Sequence, residues 1–209
     1  MALSADLYLD HIKFDRYCEA DKVCTLCKVE SFEELVERIR RGEPAGEICP
    51  HWPRWRQEAF TLAVKAGEIL PSIPPLEMPR PGDTGLLELN APGAEAILLV
   101  TGNSELTQSV ILAVVSLTAS PLRVLFVDTK GHTVDMAMIF KEFTTERILA
   151  ALEQAGIEPG CCSRLILPGL AKMLAPELAQ KLNHPVEAGP VCIAELPLYL
   201  GEDWIPAAP

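Results

Sequence analysis

The chain has 209 residues, a net charge of −11 at pH 7 and a composition that is 49% hydrophobic, enough for one ordinary core and a small appendage. The acidic balance, with no basic stripe, argues against binding to nucleic acid or to an anionic membrane surface. The N-terminus is charged throughout, unlike a signal peptide, and no apolar run approaches the roughly 20 residues that span a bilayer. We therefore predict a cytoplasmic protein, in which thiols stay reduced and clustered cysteines are more often metal ligands than disulfides.

Residues 1–70 predict a small helical module. The stretch from Ser31 to Gly42 has a capping serine, acidic residues in its first turn, basic residues in its last turn and a terminal glycine, which together predict a helix. A second helix is predicted over residues 54–70. Residues 71–85 contain five prolines and predict an extended, semi-rigid connector, because proline interrupts both helices and central strands.

After the connector, short apolar runs alternate with helical patterns. The runs cover residues 96–103, 123–131 and 163–169, and the helical patterns cover residues 105–118, 144–156 and 170–182. Strands that alternate with helices predict a parallel sheet with helices on both faces. The predicted fold is therefore α/β and Rossmann-like over residues 86–209, after the helical module at 1–70 and the linker at 71–85.

Four of the seven cysteines lie in the helical module: Cys18, Cys24, Cys27 and Cys49, the last followed by Pro50. A C-x2-C pair can direct two thiolates into one tetrahedral site, and both structural zinc and a [4Fe–4S] cluster can use four thiolates. The single C-x2-C, the proline after the last cysteine and the lack of a histidine at zinc-finger spacing favour the cluster. Zinc and unrelated buried thiols remain alternatives. The other cysteines are predicted to be core or loop thiols: Cys161, Cys162 and Cys192.

Polar loops rich in Gly, Thr, Ser and Asn follow the predicted strands, at the carboxyl ends where open parallel sheets bind ligands. They cover residues 101–107, 127–137, 167–171 and 188–190. The sequence contains no G-x-G-x-x-G, no P-loop and no D-x-H-x-x-G motif, so a nucleotide is poorly supported. From composition alone, tight turns are the better interpretation of these loops.

The order of these pieces resembles the large subunit of the corrinoid iron–sulfur protein, which carries methyl groups in the acetyl-CoA (Wood–Ljungdahl) pathway of anaerobes. Five segments between roughly residues 76 and 200 are similar, in the same order, to the corrinoid-binding domain of that family: LNAPGAEAILLVTGNSELT, LFVDTKGHTV, KEFTTERI, LILPGLA and AGP. The cysteine spacing is similar to the family pattern C-x2-C-x4-C-x16-C-P. Cys24, Cys27 and Cys49 fit, whereas Phe32 occupies the third cysteine position and Cys18 is the substitute ligand.

Two further features depart from the family. The family has a (β/α)8 barrel between the cluster domain and the corrinoid domain, where this chain has only the proline-rich linker. The family also has a glycine near the end of the short helix after the second strand, where this chain has Lys141. That replacement predicts a different position for the helix beneath a corrin ring.

The resemblance implies a methyl carrier and electron-transfer component of one-carbon metabolism, part of a methyltransferase system rather than a stand-alone enzyme. It implies a corrinoid (cobalamin) whose base is off the cobalt, and a [4Fe–4S] cluster that reduces Co(II) to Co(I). The implied partners are a methyltransferase or (β/α)8-barrel protein that covers the corrinoid, and an electron donor such as ferredoxin. The alternatives are an interaction or assembly protein, or a reductive activator, that has lost the corrinoid and holds a structural metal at the four cysteines.

The resemblance also implies two sets of site residues, and none of them is catalytic. The metal ligands are Cys18, Cys24, Cys27 and Cys49. The corrinoid contacts are Thr101, Gly102, Asn103, Ser104, Glu105, Leu106, Thr107, Thr129, Gly131, Thr133, Val134, Met136, Pro168, Gly169, Leu170, Ala171, Gly189 and Pro190. Met136 fits plain helix packing equally well, and His132 is predicted to be an ordinary surface histidine.

Overall fold

The computed structural model describes residues 7–17, 28–72, 78–158 and 160–208. These residues divide between two compact units. The sheet unit contains Ser72–Leu112 and Ser120–Val191, and the helical unit contains Asp6–Pro71, Ala113–Ala119 and Cys192–Pro209. The division predicted from the sequence, at residues 70 and 85, assigns functions to segments and stays a prediction. By packing, residues 192–209 group with the helical unit.

The helices of the described chain are α1 (Phe32–Arg40), α2 (Ala45–Ile48), α3 (Arg54–Val64), α4 (Ala66–Ile69), α5 (Glu105–Val115), α6 (Val134–Ile139), α7 (Thr145–Gln154), α8 (Ala175–Leu182) and α9 (Leu196–Leu200). Short 3-10 turns lie at Leu9–His11, Phe14–Arg16, Gly169–Leu174, Ile193–Glu195 and Gly201–Asp203. Within the described ranges, no helix is long and apolar enough to cross a membrane.

The sheet unit is built on five strands among its described residues: β1 (Gly85–Leu89), β2 (Ile97–Gly102), β3 (Leu122–Val127), β4 (Leu165–Leu167) and β5 (Val186–Ala188). Their order is β1-β3-β2-β4-β5. Strands β2 to β5 run parallel, and β1 pairs antiparallel with β3, with Gly85 opposite Phe126. The predicted α/β, Rossmann-like fold is confirmed. Strand β1 was not predicted, because it contains no β-branched or aromatic residue.

The larger core lies on one face of this sheet. Inward-facing residues of β2, β3 and β4 pack against α6, α7 and α8, where Ile148 and Leu178 are completely buried. Every residue of β2 is buried, on both of its faces. Near-continuous apolar sequences are typical of parallel strands covered on both sides, which explains why the strand pattern was readable from the sequence.

The local signals for helix ends are confirmed. Ser31 caps α1 by accepting a hydrogen bond at Oγ from the Glu34 N–H, at 3.1 Å. Gly42 and Gly156 follow the ends of α1 and α7 with φ of 96° and 65°, the left-handed conformation that glycine adopts without steric cost. The helix predicted over residues 54–70 is divided at Lys65 into α3 and α4.

An aromatic cluster forms part of the core of the helical unit. The ring of Phe60 lies 4.6 Å from Trp52, 6.1 Å from Phe14 and 6.3 Å from Phe32, measured between ring centroids. Phe60 is completely buried. Phe32, which stands at the family's third cysteine position, therefore has a packing role in this chain.

Candidate functional site

The loops that follow β2, β3, β4 and β5 lie at one edge of the sheet, because these strands run parallel. The strand order reverses direction at β2, since β3 lies on one side of it and β4 on the other. Open α/β sheets bind ligands at such a reversal, beyond the carboxyl ends of the strands. The topology therefore makes the loops after β2 and β4 the two sides of a candidate ligand crevice.

Asn103 links the loops after β2 and β3. Its Oδ1 accepts a hydrogen bond from the Thr129 N–H at 2.8 Å, and its Nδ2 donates to Gly82 O at 3.0 Å. The Thr129 hydroxyl donates to His132 O at 2.7 Å. Asn103 and Thr129 are both buried, so their polar groups shape the loops and are already satisfied within the protein.

Gly131 allows the last part of the connector to lie against these loops. Its φ is 79°, and a Cβ at this position would overlap the backbone of Arg80 and Pro81. The same segment pairs with the loop after β2, where Glu105 N–H donates to Arg80 O at 3.0 Å and Gly82 N–H donates to Asn103 O at 2.7 Å. The position requires glycine for both conformation and space.

The loops after β4 and β5 touch each other through glycine. The Gly169 N–H donates to Pro190 O at 3.0 Å, and the Gly189 N–H donates to Leu167 O at 2.8 Å. A Cβ on Gly169 would lie 2.7 Å from Gly189 O, closer than real Cβ atoms approach. The two loops therefore form one continuous wall of the crevice.

The structure brings the predicted corrinoid contacts to the same edge of the sheet and buries half of them. The buried ones are Thr101, Gly102, Asn103, Ser104, Thr129, Gly131, Val134, Gly169 and Ala171. The accessible or half-accessible ones are Glu105, Leu106, Thr107, Thr133, Met136, Pro168, Leu170, Gly189 and Pro190. Only the accessible residues offer surface to a ligand, and the buried residues support the loops that carry that surface.

Four exposed apolar side chains lie on α6, at its end or on the turn that contacts it, and we call them the α6 patch: Met136, Ile139, Phe140 and Met173. Their exposed fractions are 38%, 70%, 53% and 73%. Three of them belong to α6 or its end, and Met173 belongs to the turn Gly169–Leu174, which contacts α6. The sequence analysis proposed only Met136. The signal it missed is the run Met138-Ile139-Phe140, which is more apolar than one buried helix face requires.

Charged residues flank α6 on both sides. Glu142 follows the helix, and its Oε1 lies 2.8 Å from Lys130 Nζ in the loop before it. Its Oε2 lies 2.5 Å from His132 Nδ1, and the rings of His132 and Phe140 lie 5.0 Å apart. The Lys130 ammonium, and then His132, hold the pKa of the Glu142 carboxyl below its usual value. His132 is half-buried, in place of the surface histidine predicted from the sequence.

The residues at this edge fit a corrinoid, which has a flat ring with apolar faces and a rim of amide groups. The α6 patch offers apolar surface to such a ring. Among the described residues, Thr145 Oγ1, at the first position of α7, is a buried side-chain oxygen without a hydrogen bond, whereas Glu142 Oε2 faces His132 Nδ1.

The predicted metal site falls mostly outside the described residues, because Cys18, Cys24 and Cys27 are not among them. Cys49 is described and completely buried at the end of α2, where its N–H donates to Ala45 O at 2.8 Å. In the part of the chain that the structure describes, no three His, Cys, Asp or Glu side chains are placed to hold a metal ion.

The residues that flank the cysteine segment are anchored by two arginines. Arg56 donates to Tyr17 O and lies with its guanidinium 4.8 Å from the Trp52 ring. Arg38 donates to Lys28 O at 2.6 Å and also binds Glu43 through two nitrogens. Two carbonyls, one before and one after residues 18–27, are thus each held by a guanidinium.

Two further hydrogen bonds fix these flanks. The Lys28 N–H donates to Ile48 O at 3.0 Å, directly before Cys49. The Tyr17 hydroxyl donates to Glu195 Oε1 at 2.9 Å, and burial, followed by this carboxylate, raises the Tyr17 pKa. The remaining cysteines lie where core or loop thiols were predicted: Cys162 and Cys192 are buried, and Cys161 is half-buried.

Comparison with known proteins identifies relatives for the sheet unit. The family model described as CO dehydrogenase/acetyl-CoA synthase delta subunit matches residues 74–200, more than half of the chain. The chain is 28% identical over 127 residues to the acetyl-CoA decarbonylase/synthase complex subunit gamma of Methanosarcina acetivorans, covering 59% of this chain and 27% of the relative. Subunit gamma 1 of Methanosarcina thermophila is 27% identical and the gamma subunit of Archaeoglobus fulgidus is 26% identical, with the same coverage.

The chain spans about a quarter of the length of these curated relatives. The match covers the strand-end loops and α6, the parts of the molecule that carry the resemblance noted in the sequence. The chain belongs to the CO dehydrogenase/acetyl-CoA synthase delta subunit family, which confirms that resemblance at the level of the family.

Proposed function

We propose that this protein is a corrinoid-binding methyl carrier with an iron–sulfur module, a component of a methyl-transfer system in one-carbon metabolism. The observation that carries the proposal is the family match across the whole carboxyl edge of the sheet, including the reversal of strand order at β2. When bound, the corrinoid would supply a cobalt that carries the methyl group, and the cluster would supply an electron to restore it.

Within this proposal, the accessible loop residues bind the ligand and the buried ones keep the loops in register. Glu105, Thr107 and Thr133 lie on the accessible side and would contact polar groups at the ligand's rim. The α6 patch would lie against an apolar ring face and exclude water from it. The segment division into a cluster module at 1–70, a linker at 71–85 and a corrinoid domain at 86–209 is part of the same proposal.

The second part of the proposal is a [4Fe–4S] cluster held by Cys18, Cys24, Cys27 and Cys49. The bond from Lys28 N–H to Ile48 O supports it, since Lys28 follows Cys27 and Ile48 precedes Cys49 in the sequence. Consecutive Cα atoms are about 3.8 Å apart, so anchoring these neighbours favours a shared site. Arg38 and Arg56 also supply positive charge near a cluster that would carry negative charge.

The proposal includes partners and a location. The α6 patch is apolar and accessible, a property that marks surfaces for ligands or other proteins. A methyltransferase or barrel protein would cover the bound corrinoid, and a ferredoxin-like donor would reduce the cluster. The net charge of −11 supports a cytoplasmic protein that binds neither nucleic acid nor membrane.

A second candidate is an assembly or activator protein that keeps the fold without the corrinoid. The internal satisfaction of Asn103 and Thr129 favours it, because these polar groups need no ligand. In that case the four cysteines would hold a structural metal, and the α6 patch would bind a protein surface.

The experiment that separates the two candidates is cobalamin retention. The protein is loaded anaerobically with hydroxocobalamin under reducing conditions, desalted and examined by its visible spectrum, beside the variants Ile139→Glu and Leu112→Glu. Both residues have exposed aliphatic side chains in the sheet unit, but only Ile139 belongs to the α6 patch. We expect the wild type and Leu112→Glu to retain cobalamin and Ile139→Glu to lose it. A wild-type protein that elutes colourless would support the second candidate.

A further inference from the structure

We propose that Glu142 is a positioning residue for α6, because its carboxylate ties the loop before the helix to the turn after it. Its effect on a bound corrinoid rests on the proposed function, whereas the tie itself does not. The inference concerns one short helix and three side chains at its ends, those of Lys130, His132 and Glu142, all within the sheet unit.

The side chain of Glu142 reaches across the ends of α6. Its Oε1 lies 2.8 Å from Lys130 Nζ, and its Oε2 lies 2.5 Å from His132 Nδ1. The Glu142 side chain is only 10% exposed, while that of Lys130 is 61% exposed. A carboxylate this shielded from water needs its partners, because burying a charge without them is unfavourable.

The backbone of the same residue completes the end of the helix. The Glu142 N–H donates to Ala137 O at 2.7 Å and the Lys141 N–H donates to Met138 O at 3.4 Å. With Lys141 at a φ of 56°, these two bonds form the Schellman turn that ends many helices. Glu142 therefore fixes α6 twice, through its N–H at the helix end and through its carboxylate at the helix start.

These two attachments are important for the stability of α6 because the helix is short. A helix of six residues is not stable by itself and depends on contacts at its ends and on its buried face. Val134 and Ala137 bury that face, while Met136 and Ile139 point away from the core. The ties at the ends therefore determine how the α6 patch is presented at the sheet edge.

Hydrogen exchange in the ligand-free protein tests the tie. The wild type is compared with Glu142→Gln and with the control Glu146→Gln. Glu146 lies on α7, and its exposed carboxylate pairs with Lys181 Nζ of α8 at 3.0 Å. We expect the amides of residues 134–142 to exchange about threefold to tenfold faster in Glu142→Gln, the range for losing one charge-assisted hydrogen bond. The control should match the wild type in this segment.

A second variant covers the case in which Glu142→Gln unfolds. Lys130→Gln removes the partner from an exposed position, so the sheet should remain folded, and exchange should again rise in residues 134–142 alone. Unchanged exchange in both variants, or an equal rise in Glu146→Gln, would overturn the inference.

Cobalamin titration of the same proteins tests the consequence for a ligand. We expect Glu142→Gln to bind hydroxocobalamin about threefold to tenfold more weakly than Glu146→Gln and to shift the visible spectrum of the bound corrinoid. Equal affinities and spectra would overturn the effect on the ligand. A wild type that binds no cobalamin contradicts the proposed function, and the exchange data then still decide the role of Glu142 in the helix.

Discussion

Lys141 ends α6 in a backbone conformation that favours glycine, with a φ of 56°. The resembling family has glycine near this point, and the sequence alone suggested that a lysine would change the seat of the helix. The structure has the glycine type of turn, with the Glu142 N–H bonded to Ala137 O, and the position of the helix beneath a corrin ring stays a prediction. The strain is small enough, about 1 kcal/mol, for the surrounding contacts to hold it.

Replacing Lys141 with glycine should therefore stabilise the protein by about 1 kcal/mol, since it removes that strain. The measurement is the free energy of unfolding from urea titration. Lys172→Gly is the matched control, because Lys172 lies in the turn Gly169–Leu174 and does not have a positive φ. This control variant should be less stable than the wild type. If the Lys141→Gly variant is less stable than the wild type, the backbone of Lys141 is not strained.

Gly131 should be the least replaceable of the predicted loop glycines. A Gly131→Ala variant places a methyl group against the backbone of Arg80 and Pro81 at a φ of 79°, and we expect it to cost about 2 to 4 kcal/mol. Gly93→Ala is the control, since nothing lies near its Cβ position. Urea midpoints of the two variants measure the difference, and similar midpoints would mean that the connector does not pack there.

The contribution of the Glu142 carboxyl to the stability of the fold should depend on pH. Its folded pKa lies below the unfolded value of about 4.3, so its contribution to stability is present above that value and is lost as the pH falls through the folded pKa. The stability difference between the wild type and Glu142→Gln should thus be full at neutral pH and shrink below roughly pH 4. Unfolding midpoints measured from pH 7 to pH 3 check this, and a constant difference would contradict it.

At the scale of elements, local signals explain what the sequence could predict. Ser31, Gly42 and Gly156 mark helix ends through their own backbone preferences, and each one does so in the structure. The strands β2 and β3 were readable because burial on both faces requires continuous apolar sequence. Loop positions at the sheet edge followed from the parallel topology once the strands were assigned.

What the sequence could not show depends on tertiary contacts. The pairing of Asn103 with Thr129, and of Lys130 with Glu142, joins residues that lie on different elements or on opposite sides of a helix. No local pattern distinguishes such buried or half-buried partners from loop residues that contact a ligand. The accessible half of the predicted corrinoid residues could be separated from the buried half only in the structure.

The two arginines that flank the cysteine segment, Arg38 and Arg56, should affect how tightly the segment holds iron. Arg38→Gln and Arg56→Gln should release iron from the reconstituted protein about tenfold faster to a chelator, because each removes a guanidinium that holds Lys28 O or Tyr17 O. Arg41→Gln and Arg54→Gln are the controls, since these exposed arginines pair with Glu37 and Glu58 one turn away and do not contact the flanking carbonyls of Tyr17 or Lys28 in the described structure. Equal release from all four variants would show that the flanks do not support the metal.

At the scale of the whole molecule, the end of the chain belongs by packing with the helical unit. Glu195 and Trp204 are buried there, and Glu195 accepts the hydrogen bond from Tyr17, directly before the cysteine segment. A division drawn along the sequence places these residues with the sheet, because no composition change marks them. Any shortened variant used to study the cysteine module should therefore retain residues 192–209.

The proposed function requires that one chain hold both a corrinoid and a [4Fe–4S] cluster. The most direct test is the metal content of the 209-residue protein after anaerobic reconstitution with iron, sulfide and hydroxocobalamin, followed by desalting. We expect one cobalt and about four iron atoms per chain, the content of one such cluster, with the iron lost in a Cys49→Ser variant and the cobalt retained. Protein that holds zinc and no cobalt would contradict it.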